Sequence, residues 1–139
     1  MKRWVCMGLL FALGLVQAQG FEELGSFKTP SGNIYCLAYR DRLANKAELQ
    51  CEVRTVTAKI PPKPKDCQLD WGQRFYLPER GAAERVCHGD TIVGNYKVLG
   101  YGQTWRVGGF SCNSSTVRLR CVNRSGRGFE LSRAVQRFF

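Results

Sequence analysis

The chain is 139 residues long with a formal net charge of +10, and beyond its first residues no run is long and apolar enough to supply the ~20-residue helix that spans a bilayer. Seven cysteines in so short a chain point to a disulfide framework made in an oxidising compartment, where crosslinks support a modest core. From Lys97 to Phe139 eight basic residues stand against one acid, Glu130, whereas Gln19 to Tyr96 is nearly balanced, so the positive charge belongs to the last third.

At the N-terminus, Lys2 and Arg3 precede an apolar run from Trp4 to Val16, and Val16-Gln17-Ala18 fits the small-residue pattern at which signal peptidase cuts. Residues 1–18 are therefore expected to be a cleaved signal peptide, and residues 19–139 a single secreted or periplasmic β-rich domain. Cleavage removes Cys6 and leaves an even set: Cys36, Cys51, Cys67, Cys87, Cys112 and Cys121. Six cysteines in an exported chain read as three disulfides.

Phe21 to Thr29 enters the domain, and Thr29-Pro30-Ser31-Gly32-Asn33 is a turn by composition. Ile34 to Tyr39 is short, apolar and aromatic, which predicts a strand. Glu48 to Arg54 alternates strictly, which predicts a half-buried one. Pairing the two antiparallel with Cys36 opposite Cys51 sets Ile34 against Val53 and Ala38 against Leu49 on one face, while Gln50 and Glu52 point away. A slip of one residue puts the cysteines on opposite faces, so register and crosslink support each other.

Lys59-Ile60-Pro61-Pro62-Lys63-Pro64-Lys65 cannot supply ladder donors and favours an extended connector, pinned at its end by Cys67. Arg74 to Leu77 is a strand, Pro78 to Gly81 a turn, and Ala82 to Val86 either a strand or a short helical turn. Thr91 to Cys112 mixes glycines with Tyr96, Tyr101, Trp105 and Phe110, which suggests short strands bent by bulges and tight turns.

Val117, Leu119 and Cys121 alternate with Arg118 and Arg120. If Arg124-Ser125-Gly126 forms a three-residue loop with Gly126 left-handed, Asn123 pairs with Arg127, Cys121 with Phe129 and Leu119 with Leu131. Arg118, Arg120, Glu130 and Ser132 then share the other face. The tail ends in Phe138-Phe139, which the sequence suggests will dock as a closing element.

His88 is the one histidine, and a set of His88 with Glu84 or Asp90 and an arginine is what a small hydrolase could be assembled from. Nothing in the spacing compels that set. With the thiols in disulfides, one imidazole and scattered carboxylates fall short of a metal's usual ligands, and no cofactor is expected. Gly100-x-Gly102 and Gly126-x-Gly128 lack the helix that a phosphate-cradling motif needs. The basic residues are the remaining candidates. Arg106, Arg118, Arg120, Arg124, Arg127, Arg133 and Arg137, with Tyr101 and Trp105 as aromatic platforms, suit phosphates, carboxylated sugars or an acidic protein patch. Nucleic acid fits the charge but is seldom met by an exported protein.

The chain resembles a family of small exported bacterial domains of unknown function. The resemblance rests on Phe27-Lys28-Thr29-Pro30-Ser31-Gly32-Asn33-Ile34-Tyr35-Cys36, Asp70-Trp71-Gly72, Val86-Cys87-His88-Gly89-Asp90-Thr91, Leu99-Gly100-Tyr101-Gly102, and Cys121-Val122-Asn123 through Gly126 to Arg133. It implies a bacterial source and an envelope or extracellular location, and carries no established activity. In that pattern the position of His88 is not reliably histidine.

The expected fold is all-β, a small antiparallel barrel or sandwich of short strands stapled by Cys36–Cys51, Cys67–Cys87 and Cys112–Cys121. Register supports the first pair best; the second follows mainly by elimination. The expected function is a non-enzymatic binding module whose basic C-terminal face meets an anionic polysaccharide, a lipid head group or an acidic protein. The alternative is a small secreted hydrolase using His88.

Overall fold

Ten strands and no helix make up the computed structural model, which describes residues 20–139; the expected signal peptide lies outside the described residues. Sheet A is an antiparallel meander of β1 (Phe21–Lys28), β2 (Ile34–Asp41), β3 (Lys46–Val53), β4 (Asp70–Pro78) and β5 (Glu84–His88). Sheet B is a second meander of β6 (Thr104–Val107), β7 (Phe110–Ser114), β8 (Leu119–Val122), β9 (Gly128–Leu131) and β10 (Gln136–Phe138). The two sheets do not close into a barrel, so of the two expected architectures the chain adopts the sandwich.

One core joins them. Period-two alternation sends Ala38, Leu49, Phe75 and Leu77 inward from sheet A, and Phe110, Leu119, Phe129 and Leu131 inward from sheet B. Rings meet across the layers, Phe27 against Trp105 with centroids 5.0 Å apart and Phe75 against Phe129 at 6.3 Å. The expected β2–β3 register is present, with Ile34, Cys36 and Ala38 opposite Val53, Cys51 and Leu49. The three expected disulfides are formed: Cys36–Cys51, Cys67–Cys87 and Cys112–Cys121. Two are sealed in the core, whereas Cys87 of the third is exposed.

The irregular segments are held by specific bonds. The proline-rich connector lies against β4, where the Trp71 indole donates to the Pro61 carbonyl at 2.9 Å and Ile60 covers Gly72. The segment after β5 crosses the outer face of sheet A at Thr91 to Tyr96, runs beside Lys28 of β1 at residues 97–99, and reaches Ser114 of sheet B at residues 102–103. On the outer face of sheet A, Glu52 points away from the core, yet it is buried, because Thr91 and the Ile92 amide (3.0 Å) close over its carboxylate. Arg74 completes this inlay, with Nη2 3.1 Å from Glu52 and Nη1 2.7 Å from Gln50.

The β8–β9 hairpin follows the expected register, Leu119 with Leu131 and Cys121 with Phe129. Gly126 takes φ of 72° in its turn, a conformation that a side chain would strain. The turn is fastened to sheet A by the buried Asn123, whose amide donates to the carbonyls of Pro78 at 2.9 Å and Gly81 at 2.8 Å. Gly128 opens β9, where a Cβ would lie 1.8 Å from the Cys121 carbonyl oxygen. The tail docks as expected: β10 pairs with β9, and the Phe139 amide and carbonyl both bond to Gly128.

Candidate functional site

Glu130 sits in the middle of the outer face of sheet B. In the ladder it stands opposite Arg120 on β8 and opposite Arg137 on β10, so strand pairing delivers an arginine from each side. Arg118, just before β8, adds a third. Its Nη1 lies 2.7 Å from Glu130 Oε2, the same oxygen that accepts from Arg137, and Arg120 Nε is 3.6 Å from Oε1. The carboxylate lies beneath its partners: its side chain is 11% exposed, against 45%, 50% and 61% for Arg118, Arg120 and Arg137.

One negative charge thus meets three positive ones, leaving a local surplus of two. The hydrogen bond from Arg118, aided by Arg137, outweighs desolvation and holds the Glu130 carboxyl below its ordinary pKa. Arg120 is steadied from a second side, with its guanidinium carbon 4.3 Å from the centroid of the Phe139 ring. Gly128 allows this, because a Cβ there would also meet that ring at 3.0 Å.

Beside this face, at one end of the sandwich, three turns and a loop surround a cleft of about 350 Å³. The β1–β2 turn gives Thr29, Ser31 and Asn33, the β7–β8 turn Ser115 to Arg118, the β9–β10 turn Ser132 to Ala134, and the crossing loop Tyr101. Ile34, Leu119 and Leu131 lie buried beneath it in the core, and its exposed large apolar side chains are Val117 and Tyr101. Several polar groups around it are already used: Asn33 bonds the Thr55 backbone in both directions, and the Ser115 and Ser132 hydroxyls close their own turns. Tyr101 is half exposed, and its hydroxyl and the Arg133 guanidinium have no hydrogen-bond partner among the described residues.

The other basic residues lie elsewhere. Arg124 pairs with Glu79 at 2.9 Å on the β4–β5 turn, at the opposite end of the hairpin, and Arg127 Nε donates to the Phe139 carbonyl at 3.2 Å. Trp105 and Arg106 are neighbours on a strand and so face opposite ways. Trp105 packs inward on Phe27, while Arg106 pairs in register with Ser111 on the outer face of β6 and β7. The structure gathers Arg118, Arg120 and Arg137 into one cluster and leaves Tyr101 and Arg133 at the adjoining cleft.

Glu84 and His88 stand at the two ends of β5, about 13 Å apart along an extended strand. Both His88 ring nitrogens are buried and none of the described residues hydrogen-bonds to them. Asp90 contributes its carbonyl oxygen to Arg74. Among the described residues no cluster of three or more histidine, cysteine or acidic side chains has metal-binding geometry.

Sequence reasoning missed the central role of Glu130, the Phe139 platform and most of the cleft's rim. The first was within reach, since the expected hairpin register already placed Arg120 opposite Glu130. The others depend on where the tail and loops dock, which local pattern does not encode.

A two-sheet, disulfide-stapled β domain with a cationic outer face is the class these observations define. The chain belongs to a family of unknown function, DUF6636, whose family model matches residues 5–139. No curated protein and no solved structure matches it.

Proposed function

We propose that the protein is a non-enzymatic binding module of the bacterial envelope, exported by its N-terminal signal, whose arginine face on sheet B engages an anionic partner. The observation that supports this is the sharing of one carboxylate by three exposed guanidiniums. Each keeps donors free, because Arg118, Arg120 and Arg137 compete for the two oxygens of Glu130. A planar guanidinium matches carboxylate or phosphate oxygens with paired hydrogen bonds, and surplus charge on one face draws a polyanion toward it.

Among the described residues, the outer face of sheet A gathers no comparable cluster of arginines. Its outer polar groups bond one another: Tyr39 accepts from Gln50 at 2.7 Å, Tyr76 donates to Glu48 at 3.2 Å, and Glu52 and Arg74 lie under the crossing loop. The test is retention on an immobilised polyanion. The native protein is expected to elute at a higher salt concentration than Arg118→Ser/Arg120→Ser, because exposed charges are screened over about 10 Å at 0.1 M salt. Equal elution of the two rejects the reading.

A further inference from the structure

Immediately beside the basic cluster, the end cleft has a composition that charge alone does not require. We propose that it is a subsite for a carboxylated saccharide, which makes the anionic partner an acidic polysaccharide; this rests on the binding role proposed for the basic face.

A sugar ring presents flat C–H faces and polar edges, and an acidic sugar adds a planar carboxylate. The cleft offers a counterpart to each. Val117, 65% exposed, supplies an apolar rim, and Tyr101 a half-exposed ring on which a sugar face can lie. Arg118 and Arg133 bring guanidiniums whose fork geometry fits a carboxylate. A phosphate or sulfate group would use only these charges, leaving the tyrosine ring and Val117 without a role. The volume, about 350 Å³, lies at the lower end of the range for small-ligand sites.

The cleft also continues onto the basic face. A neighbouring hollow of about 240 Å³ is lined by Val117, Arg118, Glu130 and Arg137, so Arg118 borders both. A polymer seated by one residue at Tyr101 can therefore run along the cluster with its next acidic groups.

The experiment titrates the purified protein with oligogalacturonate, its methyl ester and inorganic polyphosphate, a polyanion without sugar rings, at low salt. Tyr101→Ala and Arg133→Ser change exposed side chains and are expected to leave the melting temperature intact. Each lowers oligogalacturonate affinity about tenfold, and Tyr101→Phe, which keeps the ring, stays within about twofold. Methyl esterification, which keeps the sugar rings and removes the charges, weakens binding by at least about tenfold. Polyphosphate affinity is unmoved by Tyr101→Ala. If Tyr101→Ala leaves oligogalacturonate unaffected, or weakens both polymers equally, the saccharide subsite is overturned while the basic-face reading stands. Equal binding of the methyl ester overturns the carboxylate's part. Absence of binding to every polyanion overturns the basic-face reading itself, and the subsite with it.

Discussion

Arg120 lies directly across the β8–β9 ladder from Glu130, with Nε 3.6 Å from Oε1, and its guanidinium is stacked on the ring of Phe139. Glu130 is therefore a scaffold for cations as much as a partner to them. It orients three guanidiniums and cancels only one. Replacing it by glutamine removes the cancelling charge and keeps a group that can accept hydrogen bonds, so Glu130→Gln should bind a polyanion more tightly, by about two- to fivefold at low salt. Titration of the variant beside the native protein checks this. Unchanged binding with an unchanged melting temperature would mean that the cluster is not the contact surface.

The buried Glu52–Arg74 pair is structural. Its carboxylate receives Arg74, Thr91 and the Ile92 amide, which fixes the crossing loop to sheet A. Glu52→Ala strands a buried guanidinium and should cost roughly 3 kcal/mol of stability. Urea denaturation measures that loss, and polyanion binding by the folded fraction should be unchanged.

Acid should destabilise the protein in a defined window. The carboxyls of Glu52, Glu79 and Glu130 are all lowered from an ordinary 4.5. For Glu52, burial acts to raise the value, but the Ile92 amide, Thr91 and Arg74 outweigh it. For Glu79 the Arg124 hydrogen bond dominates. A folded-state pKa below the unfolded one contributes stability that is complete above about pH 4.5 and is lost as pH falls through the folded value. Melting temperatures should stay level from neutrality to about pH 5 and then decline, less steeply in Glu52→Gln. A melting temperature that rises below pH 4.5 contradicts these assignments.

The disulfides should reduce in order of exposure. Cys36, Cys51, Cys112 and Cys121 are fully buried, while Cys87 reaches solvent beside Trp71, Arg85 and Asp66. Mild reductant with alkylation and peptide mapping should label Cys67 and Cys87 first, and the other four cysteines only on unfolding. Opening this 20-residue separation should cost roughly 3 kcal/mol, from the freedom returned to the unfolded chain.

Where a contact is set by neighbours in one hairpin, the sequence carries it. Alternation at Ile34, Cys36 and Ala38 admits one register against Leu49, Cys51 and Val53. Gly126 likewise fixes which residues of β8 and β9 meet. Of the ambiguous Ala82 to Val86 stretch, Glu84 to Val86 fall in β5, because β4 offers them an edge, while Ala82 and Ala83 stay outside any strand. Contacts between distant segments were not legible. Nothing near Glu52 foretells that Thr91, far along the chain, will cover it, and the cleft is built from turns separated by up to about a hundred residues. The β8–β9 register explains why the basic run divides: Arg124 and Arg127 lie in and beside the expected turn, at the end of the hairpin away from Arg118.

The most direct measurement of the central claim is the dependence of polyanion affinity on salt, for the native protein and for Arg118→Ser/Arg120→Ser. The basic-face account predicts steep weakening as salt rises, and a log–log slope shallower by roughly two in the double variant, together with lower affinity at low salt. Identical slopes and affinities for the two proteins would contradict it.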